Sequence, residues 1–203
     1  MEMSPLFIET FAIRNGAIVN FSLHKQRILF TLQAHGMKQD YWLQCSENSF
    51  SLPKSPNVYK GRIVYGETMY DFSAIPYNPK KVNSLQVVEN NQINYTYKYA
   101  ERSSLNALLE NCNGADEILI VKNGFLTDTS YTNVVFFDGV NCYTPKTYLL
   151  NGTQRRYLLS KGIISEISIS IKDMNFFKSV FLINALLDWE HKIEIPIKAI
   201  FLP

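Results

Sequence analysis

Short turn dipeptides between extended, apolar runs are the feature that most constrains the fold of this chain. Asn15-Gly16, Asn123-Gly124 and Asp138-Gly139 each separate segments rich in β-branched and aromatic residues. Asn-Gly and Asp-Gly accept the positive φ angles of the two-residue turns that join antiparallel strands. The sequence therefore predicts three β-hairpins, the first of them over residues 5–21.

Helical patterns lie between these extended runs. Residues 22–36 carry apolar side chains at near-helical spacing, with Ser22 as a candidate cap and Gly36 at the far end. A second helix is predicted from about residue 100 to residue 112, and a third over residues 153–161. Hairpins mixed with helices favour an α+β fold over a doubly wound parallel sheet.

A boundary between two lobes is predicted at residues 75–81, where IPYNPKK carries two prolines and a lysine pair. The segments before it, residues 58–66 and 68–77, alternate as strands. We therefore divide the chain into a small N-terminal lobe, residues 1–78, and a larger C-terminal lobe, residues 79–203.

Residues 92–100 are predicted to be extended. Their alternation places Tyr95 and Tyr97 on one face and Thr96 and Lys98 on the other. Lys98 is thus expected at the end of a strand, shortly before the second helix.

Composition argues against several classes of function. The formal net charge is +2 with scattered lysines, which disfavours a nucleic-acid partner. No segment approaches the roughly 20 apolar residues that span a bilayer, and the N-terminus does not resemble a signal peptide. Cys45, Cys112 and Cys142 form no metal-binding pair, so we expect no metal site and a reduced, cytoplasmic location.

Several polar residues, each with an ordinary structural explanation when taken singly, occur in an informative order. Arg27 lies in a His-x-x-Arg setting on the first helix, and Lys98 precedes the next helix. Asp128 and Asn133 interrupt the strand-like LTDTSYTNVVFF. Thr144-Pro145, NGTQR at residues 151–155 and Asn184-Ala185 follow. This order resembles the class IV aminotransferase family, the pyridoxal-phosphate enzymes of fold type IV.

The resemblance covers roughly His24 to Trp189 and is strongest between Tyr97 and Arg155. The family includes branched-chain and D-amino-acid aminotransferases and aminodeoxychorismate lyase. The resemblance implies a two-lobed α+β enzyme with a small α/β lobe and a barrel-like C-terminal lobe. It also implies a homodimer, pyridoxal 5'-phosphate as the cofactor and a small-molecule amine as the substrate.

The resemblance implies a catalytic role for Lys98 and cofactor-binding roles for Asp128 and Asn133. Lys98 would bind the cofactor covalently and then act as a general base at the substrate carbon. Asp128, where the family usually has glutamate, would keep the pyridine nitrogen protonated. Asn133 would stabilise the turn that carries Asp128.

A second set of residues would bind the cofactor phosphate. Arg27 offers a planar fork of donors, and the start of the third helix offers amide groups to an anion. Asn184 and Ala185 occupy the position of a second phosphate-facing turn in the family. The residues at the start of the third helix are Gly152, Thr153 and Gln154.

Substrate contacts are less well marked in the sequence. Arg62 with Tyr65 in GRIVYG could bind a substrate carboxylate, the alternative being a surface arginine on an edge strand. Arg102 completes a K-x-x-x-R pattern with Lys98 that resembles aminodeoxychorismate lyase.

The resemblance leaves three functions open. INALL and NGTQR are most similar to aminodeoxychorismate lyase, which releases pyruvate and 4-aminobenzoate in folate biosynthesis. An aminotransferase of branched-chain or D-amino acids is the first alternative. A non-catalytic homologue that binds pyridoxal phosphate is the second, since Asp128 replaces glutamate and Ser103 stands where a tyrosine is common.

Overall fold

The computed structural model describes residues 5–203, and the chain divides into two compact units. The first contains residues 5–78 and Tyr97–Glu101, and the second contains Pro79–Thr96 and Arg102–Pro203. The boundary between Asn78 and Pro79 falls within the predicted linker, residues 75–81. The assignment of Tyr97–Glu101, and therefore of Lys98, to the first unit was not expected from the sequence.

The first unit is a four-stranded antiparallel sheet with helices. The sheet order is β2-β1-β3-β4. Asn15 and Gly16 both have positive φ, 49° and 78°, so the predicted first hairpin is confirmed. The strands are β1 (Phe7–Arg14), β2 (Ala17–Ile18), β3 (Tyr59–Tyr65) and β4 (Met69–Pro76), and the helices are α1 (Phe21–Ala34) and α2 (Asp40–Gln44).

The core of the first unit depends on a close approach between β1 and β3. Phe11 of β1 is in register with Gly61 of β3, and Phe11 and Ile63 are buried. A Cβ atom built on Gly61 would overlap the ring of Phe11. Glycine is therefore required at position 61 for space, because any side chain there would displace the aromatic ring.

Gly61→Ala is expected to lower the free energy of unfolding by about 1–3 kcal/mol, because overpacking forces the Phe11 ring out of place. Urea denaturation followed by circular dichroism measures the change. Ser73→Ala, at an exposed position of the neighbouring β4, is the control and should be nearly neutral. Equal stability of the Gly61 variant and the wild type would contradict this packing.

The second unit is built on a nine-stranded sheet with the order β10-β9-β8-β7-β6-β5-β13 and with β11 and β12 attached through β8. Its helices are α3 (Ser103–Leu109) and α4 (Thr153–Ser160). The strands are β5 (Leu85–Glu89), β6 (Glu117–Lys122), β7 (Phe125–Thr129), β8 (Asn133–Phe137), β9 (Cys142–Pro145), β10 (Ser165–Ile167), β11 (Ser179–Ile183), β12 (Ile193–Pro196) and β13 (Ile200–Phe201).

Strand β8 organises this sheet because it has three neighbours. It pairs antiparallel with β7 at its start, with β9 at its end and with β11 along its length. The hairpins predicted at Asn123-Gly124 and Asp138-Gly139 are confirmed as β6–β7 and β8–β9. The β7–β8 pairing brings Asp128 opposite Asn133.

Two predictions near Lys98 are wrong. Residues 92–100 form no strand, and α3 covers Ser103–Leu109 instead of residues 100–112. The reason is non-local: Ile8 donates its N–H to the Lys98 carbonyl at 2.8 Å, and Ala100 donates its N–H to Leu6 at 2.9 Å. The start of β1 thus pairs with residues 98–100 and keeps their backbone beside the strand, so the helix begins only after this segment.

The helices in the described part of the chain are short. The longest, α1, has 14 residues. Within residues 5–203, no helix combines the length and the apolar character needed to cross a membrane.

Candidate functional site

The centre of the candidate site in the second unit is the carboxylate of Asp128, which is 5% exposed. Its Oδ1 accepts a hydrogen bond from Nδ2 of Asn133 at 2.8 Å. Its Oδ2 accepts the backbone N–H groups of Leu149 and Leu150, both at 2.9 Å. One side chain therefore joins β7, β8 and the loop before α4.

The turn after Asp128 is closed by hydroxyl groups. The hydroxyls of Thr129 and Thr132 lie 2.7 Å apart, and Thr132 donates its N–H to the Thr129 hydroxyl at 2.9 Å. Threonine side chains thereby satisfy backbone groups that would otherwise be buried without partners. This explains the polar interruption of the strand-like LTDTSYTNVVFF.

Burial raises the pKa of Asp128 from 3.8 to about 6. The N–H of Leu150, the Asn133 amide, the N–H of Leu149 and the charge of Arg155 all act in the opposite direction. Three neutral donors thus hold the carboxylate without fully compensating its lost hydration. A cationic group beside Asp128 would favour the ionised form.

Gly152 leaves room for the side chain that holds Asp128. A Cβ atom on Gly152 would overlap Oδ1 of Asn133. Asn133 also donates through Nδ2 to the Leu150 carbonyl at 2.8 Å. The predicted stabilising role of Asn133 is therefore a set of contacts to both Asp128 and the loop.

Helix α4 begins directly after Gly152. Thr153 and Gln154 form its first turn and are 2% and 3% exposed. The amide groups of a first helical turn have no carbonyl partner within the helix, and the helix dipole favours negative charge there. The predicted amide pair thus lies where an anion could bind.

Arg155 fixes the start of α4 to the rest of the second unit. Its Nη2 donates to the Pro145 carbonyl at 3.1 Å and forms an ion pair with Glu166. Its Nη1 donates to Asn151 at 3.2 Å, and its guanidinium stacks on Tyr148. The arginine of the NGTQR segment is thus a structural anchor for this turn.

Asn184 shapes the turn that follows β11. Its Oδ1 accepts the N–H groups of Leu186 and Leu187 at 2.8 and 2.9 Å. Its Nδ2 lies 3.4 Å from the carbonyl of Tyr131, in the β7–β8 turn. The segment containing Asn184 and Ala185 therefore lies beside the turn that follows Asp128.

Arg27 belongs to a buried cluster in the first unit that we call the Glu9 cluster, consisting of Glu9, His24 and Arg27. Nε and Nη2 of Arg27 donate to the two carboxylate oxygens of Glu9, each at 2.7 Å. Nδ1 of His24 lies 2.6 Å from Oε2 of Glu9. The Arg27 guanidinium, which the sequence analysis assigned to a phosphate, binds Glu9 in this structure. The phosphate role of Arg27 stays a prediction.

Opposing effects set the charges of this cluster. Burial acts to raise the pKa of Glu9, but the charge and hydrogen bonds of Arg27, together with His24, lower it to about 2. Burial lowers the pKa of His24, and the charges of Arg27 and Lys98 lower it further against the effect of Glu9. The positive charge of Lys98 therefore acts on His24 of the Glu9 cluster.

The two candidates for a substrate carboxylate cannot act as a pair. Burial alternates along β3, so Gly61, Ile63 and Tyr65 point to the core and Arg62 points to the opposite face. Tyr65 is 0% exposed, and β3 is an interior strand instead of the edge strand considered from the sequence. Arg62 and Tyr65 thus lie on different faces of the sheet, which corrects this prediction.

Arg102, the residue before α3, binds the turn between β7 and β8 that follows Asp128. Its Nη2 donates to the Ser130 carbonyl at 2.8 Å, and its guanidinium lies over the ring of Tyr95. The contacts shown for Arg102 are structural, and its predicted contact with the substrate stays a prediction.

Sequence reasoning missed Glu9 and the amides of Leu149 and Leu150. The signal for Glu9 was present, because FIETFAIR places one acid in a mostly apolar strand. A buried acid needs cationic partners, and His24 and Arg27 are spaced to share one helix face. Backbone amides from a distant loop leave no such signal.

Gly152→Ala is expected to lower the free energy of unfolding by roughly 1–3 kcal/mol, because the added methyl group displaces the Asn133 amide from its partners. The same substitution should cost much less in an Asn133→Ala background, where the overlapping atom is absent. Urea denaturation of the four proteins in this double-mutant cycle measures the coupling. Equal costs in both backgrounds would contradict the proposed contact.

Asp128 is expected to titrate near pH 6 in the protein without ligand. Since its folded-state pKa is raised above 3.8, its contribution to stability is fully present below about pH 3.8 and is lost as the pH rises through about 6. The effect is on the order of 3 kcal/mol. The ¹³C shift of the carboxyl group, assigned with Asp128→Asn, follows the titration, and a midpoint below 4 would contradict the account.

The chain belongs to the class IV aminotransferase family. The sequence model of that family, described as amino-transferase class IV, matches residues 73–193, which is more than half of the chain. An uncharacterized protein of Haemophilus influenzae is 37% identical over 189 residues, covering 91% of this chain and 98% of that protein. The predicted family is therefore confirmed.

Solved structures agree with this assignment. A proposed 4-amino-4-deoxychorismate lyase from Haemophilus somnus is 29% identical, with a TM-score of 0.81 over 93% of this chain and 100% of that one. A proposed amino-acid aminotransferase from Mesorhizobium loti shares the fold, with 22% identity and a TM-score of 0.75 over 98% and 100% of the chains. The predicted α+β fold and enzyme class are confirmed.

A third neighbour, a hypothetical aminotransferase from Mycobacterium tuberculosis in its pyridoxal-phosphate-bound form, has a TM-score of 0.75 at 14% identity. The match covers 94% of this chain and 80% of that one. At this identity the likeness concerns the fold alone.

Proposed function

We propose that this protein is a pyridoxal-phosphate-dependent 4-amino-4-deoxychorismate lyase that releases pyruvate and 4-aminobenzoate. One observation carries the proposal: the 29% identity and TM-score of 0.81 to a proposed lyase of that specificity, over the whole of that chain. A homodimer, a cytoplasmic location and a role in folate biosynthesis form part of the same proposal.

The residues of the second unit fit pyridoxal phosphate. Asp128 is a buried acid whose three protein donors leave its pKa raised, so that a protonated pyridine nitrogen is a suitable cationic partner. The first turn of α4, at Thr153 and Gln154, suits a phosphate. When bound, the cofactor supplies an electron sink for cleavage of bonds at the substrate amine.

The amine that holds the cofactor in this proposal is Lys98. Its backbone carbonyl accepts the N–H of Ile8, and its charge, like that of Arg27, acts on His24. A cationic setting lowers the pKa of a lysine and makes the free amine available as a base. Lys98 would accept the proton from the substrate carbon, and Arg27 would bind the phosphate.

The lyase and aminotransferase reactions differ in where the proton goes. In the lyase reaction Lys98 would remove a ring proton, the bond between the ring carbon and the enolpyruvyl oxygen would break, and the released enol would take up a proton to become pyruvate. No keto-acid co-substrate is needed. In an aminotransferase the same lysine must deliver the proton to a cofactor carbon. The aminotransferase alternative is favoured by the family description and by the Mesorhizobium loti structure, and its substrates would be branched-chain or D-amino acids.

A non-catalytic protein that binds the cofactor is the remaining alternative. Asp128 is one methylene shorter than the glutamate usual in the family, and Ser103 is exposed at the start of α3 in place of a tyrosine. These two departures from the usual family residues are consistent with a protein that binds the cofactor but has lost catalytic activity.

The functional test combines covalent trapping with product analysis. Borohydride reduction of the protein with pyridoxal phosphate is expected to leave a pyridoxyl group on Lys98. 4-amino-4-deoxychorismate should yield stoichiometric pyruvate when no keto-acid co-substrate is added. Lys98→Ala should abolish both results, because the reacting amine is gone. Lys172→Ala, which removes an exposed lysine, is the control and should retain both.

Other outcomes separate the alternatives. Loss of the cofactor absorbance with amino acids, without pyruvate release from aminodeoxychorismate, would support an aminotransferase. Binding without either reaction would support the non-catalytic alternative, and an adduct on another lysine would overturn the assignment of Lys98.

A further inference from the structure

Glu9 is a buried acid for which the proposed reaction gives no role. It is 0% exposed on β1 and points toward α1 between the apolar side chains of Phe7 and Phe11. Burying a carboxylate is costly unless charged partners and hydrogen bonds compensate for its lost hydration. Arg27 and His24 provide that compensation, with a bidentate pair and a third short contact.

The bidentate contact fixes the orientation of Arg27. A guanidinium group is planar, so two hydrogen bonds along its Nε–Nη2 edge fix both the plane and the direction of the remaining Nη1 group. The aliphatic part of Arg27 is also buried, since the residue is 8% exposed. The position of its charge is therefore set by Glu9.

We propose that Glu9 is a positioning residue that orients Arg27 for the phosphate of the bound ligand, an inference that rests on the proposed function. Glu9 acts through Arg27 and does not itself touch the ligand. Its benefit is preorganisation: an arginine held in one orientation binds a phosphate without first losing side-chain freedom.

If charge alone mattered, removing the charge of Glu9 would strengthen phosphate binding. Glu9 and Arg27 carry opposite charges and His24 is neutral near pH 7, so the Glu9 cluster as a whole attracts an anion weakly. Neutralising Glu9 would leave Arg27 unbalanced and strengthen long-range attraction for a phosphate. If orientation matters more, neutralising Glu9 weakens phosphate binding instead.

The test compares pyridoxal phosphate with pyridoxal, which lacks the phosphate. Equilibrium binding of each to the cofactor-free protein is measured for the wild type, Glu9→Gln, Arg27→Ala and the double variant. Glu9→Gln is expected to weaken pyridoxal phosphate about tenfold, the scale of one charge-assisted hydrogen bond, and to change pyridoxal binding less than about twofold. The double variant should bind no more weakly than Arg27→Ala.

Controls separate this effect from a loss of stability. Ile63→Val removes a methyl group from the same core without touching Arg27 and should not distinguish the two ligands. If Glu9→Gln does not fold, Glu9→Asp keeps the charge but shortens its reach and should show the same selective loss.

Each other outcome overturns the inference. Equal weakening of both ligands would make Glu9 a structural residue only, and tighter binding of pyridoxal phosphate would give it a charge-balancing role. Unchanged affinities for the wild type and Glu9→Gln would remove the positioning role while leaving the proposed function intact. A wild-type protein that binds neither ligand would overturn the proposed function, and the inference with it.

Discussion

The site in the second unit depends on one constraint, the burial of a carboxylate with neutral donors. Asp128 remains buried because Asn133 and two backbone amides of a distant loop donate to it. These bonds fix the β7–β8 turn to the loop before α4. The requirement for glycine at position 152 follows, because the Asn133 amide occupies the space of a side chain.

Glu9 and Asp128, two of the buried acids, are stabilised in different ways. Glu9 has an arginine beside it, and its pKa falls to about 2. Asp128 has amides, and its pKa rises to about 6, since dipoles compensate for burial less completely than a full positive charge. Glu9 is thus suited to holding a cation of the protein, and Asp128 to accepting a cation from a ligand.

What could be predicted from the sequence was local. Asn-Gly and Asp-Gly identified the hairpins because their backbone preferences act within two residues, and α4 was predicted to within one residue of its observed end at Ser160. The segment Tyr97–Glu101 was missed because its backbone partners, Leu6 and Ile8, are about 90 residues earlier in the chain, and no local pattern reports them.

The sequence named candidate site residues, but it did not give their geometry. Lys98, Asp128 and Asn133 were proposed from a family resemblance, whereas the backbone donors to Asp128 required the folded chain. The error over Arg62 and Tyr65 was avoidable, because residues three apart on a regular strand point to opposite faces.

The central claim is that Asp128 keeps the ring nitrogen of a bound pyridoxal phosphate protonated. The most direct measurement is the ¹⁵N chemical shift of that nitrogen in labelled cofactor bound to the wild-type protein at pH 8. The account predicts the shift of a protonated pyridinium, and its replacement by the neutral shift in Asp128→Ala. A neutral pyridine shift in the wild type would contradict the account.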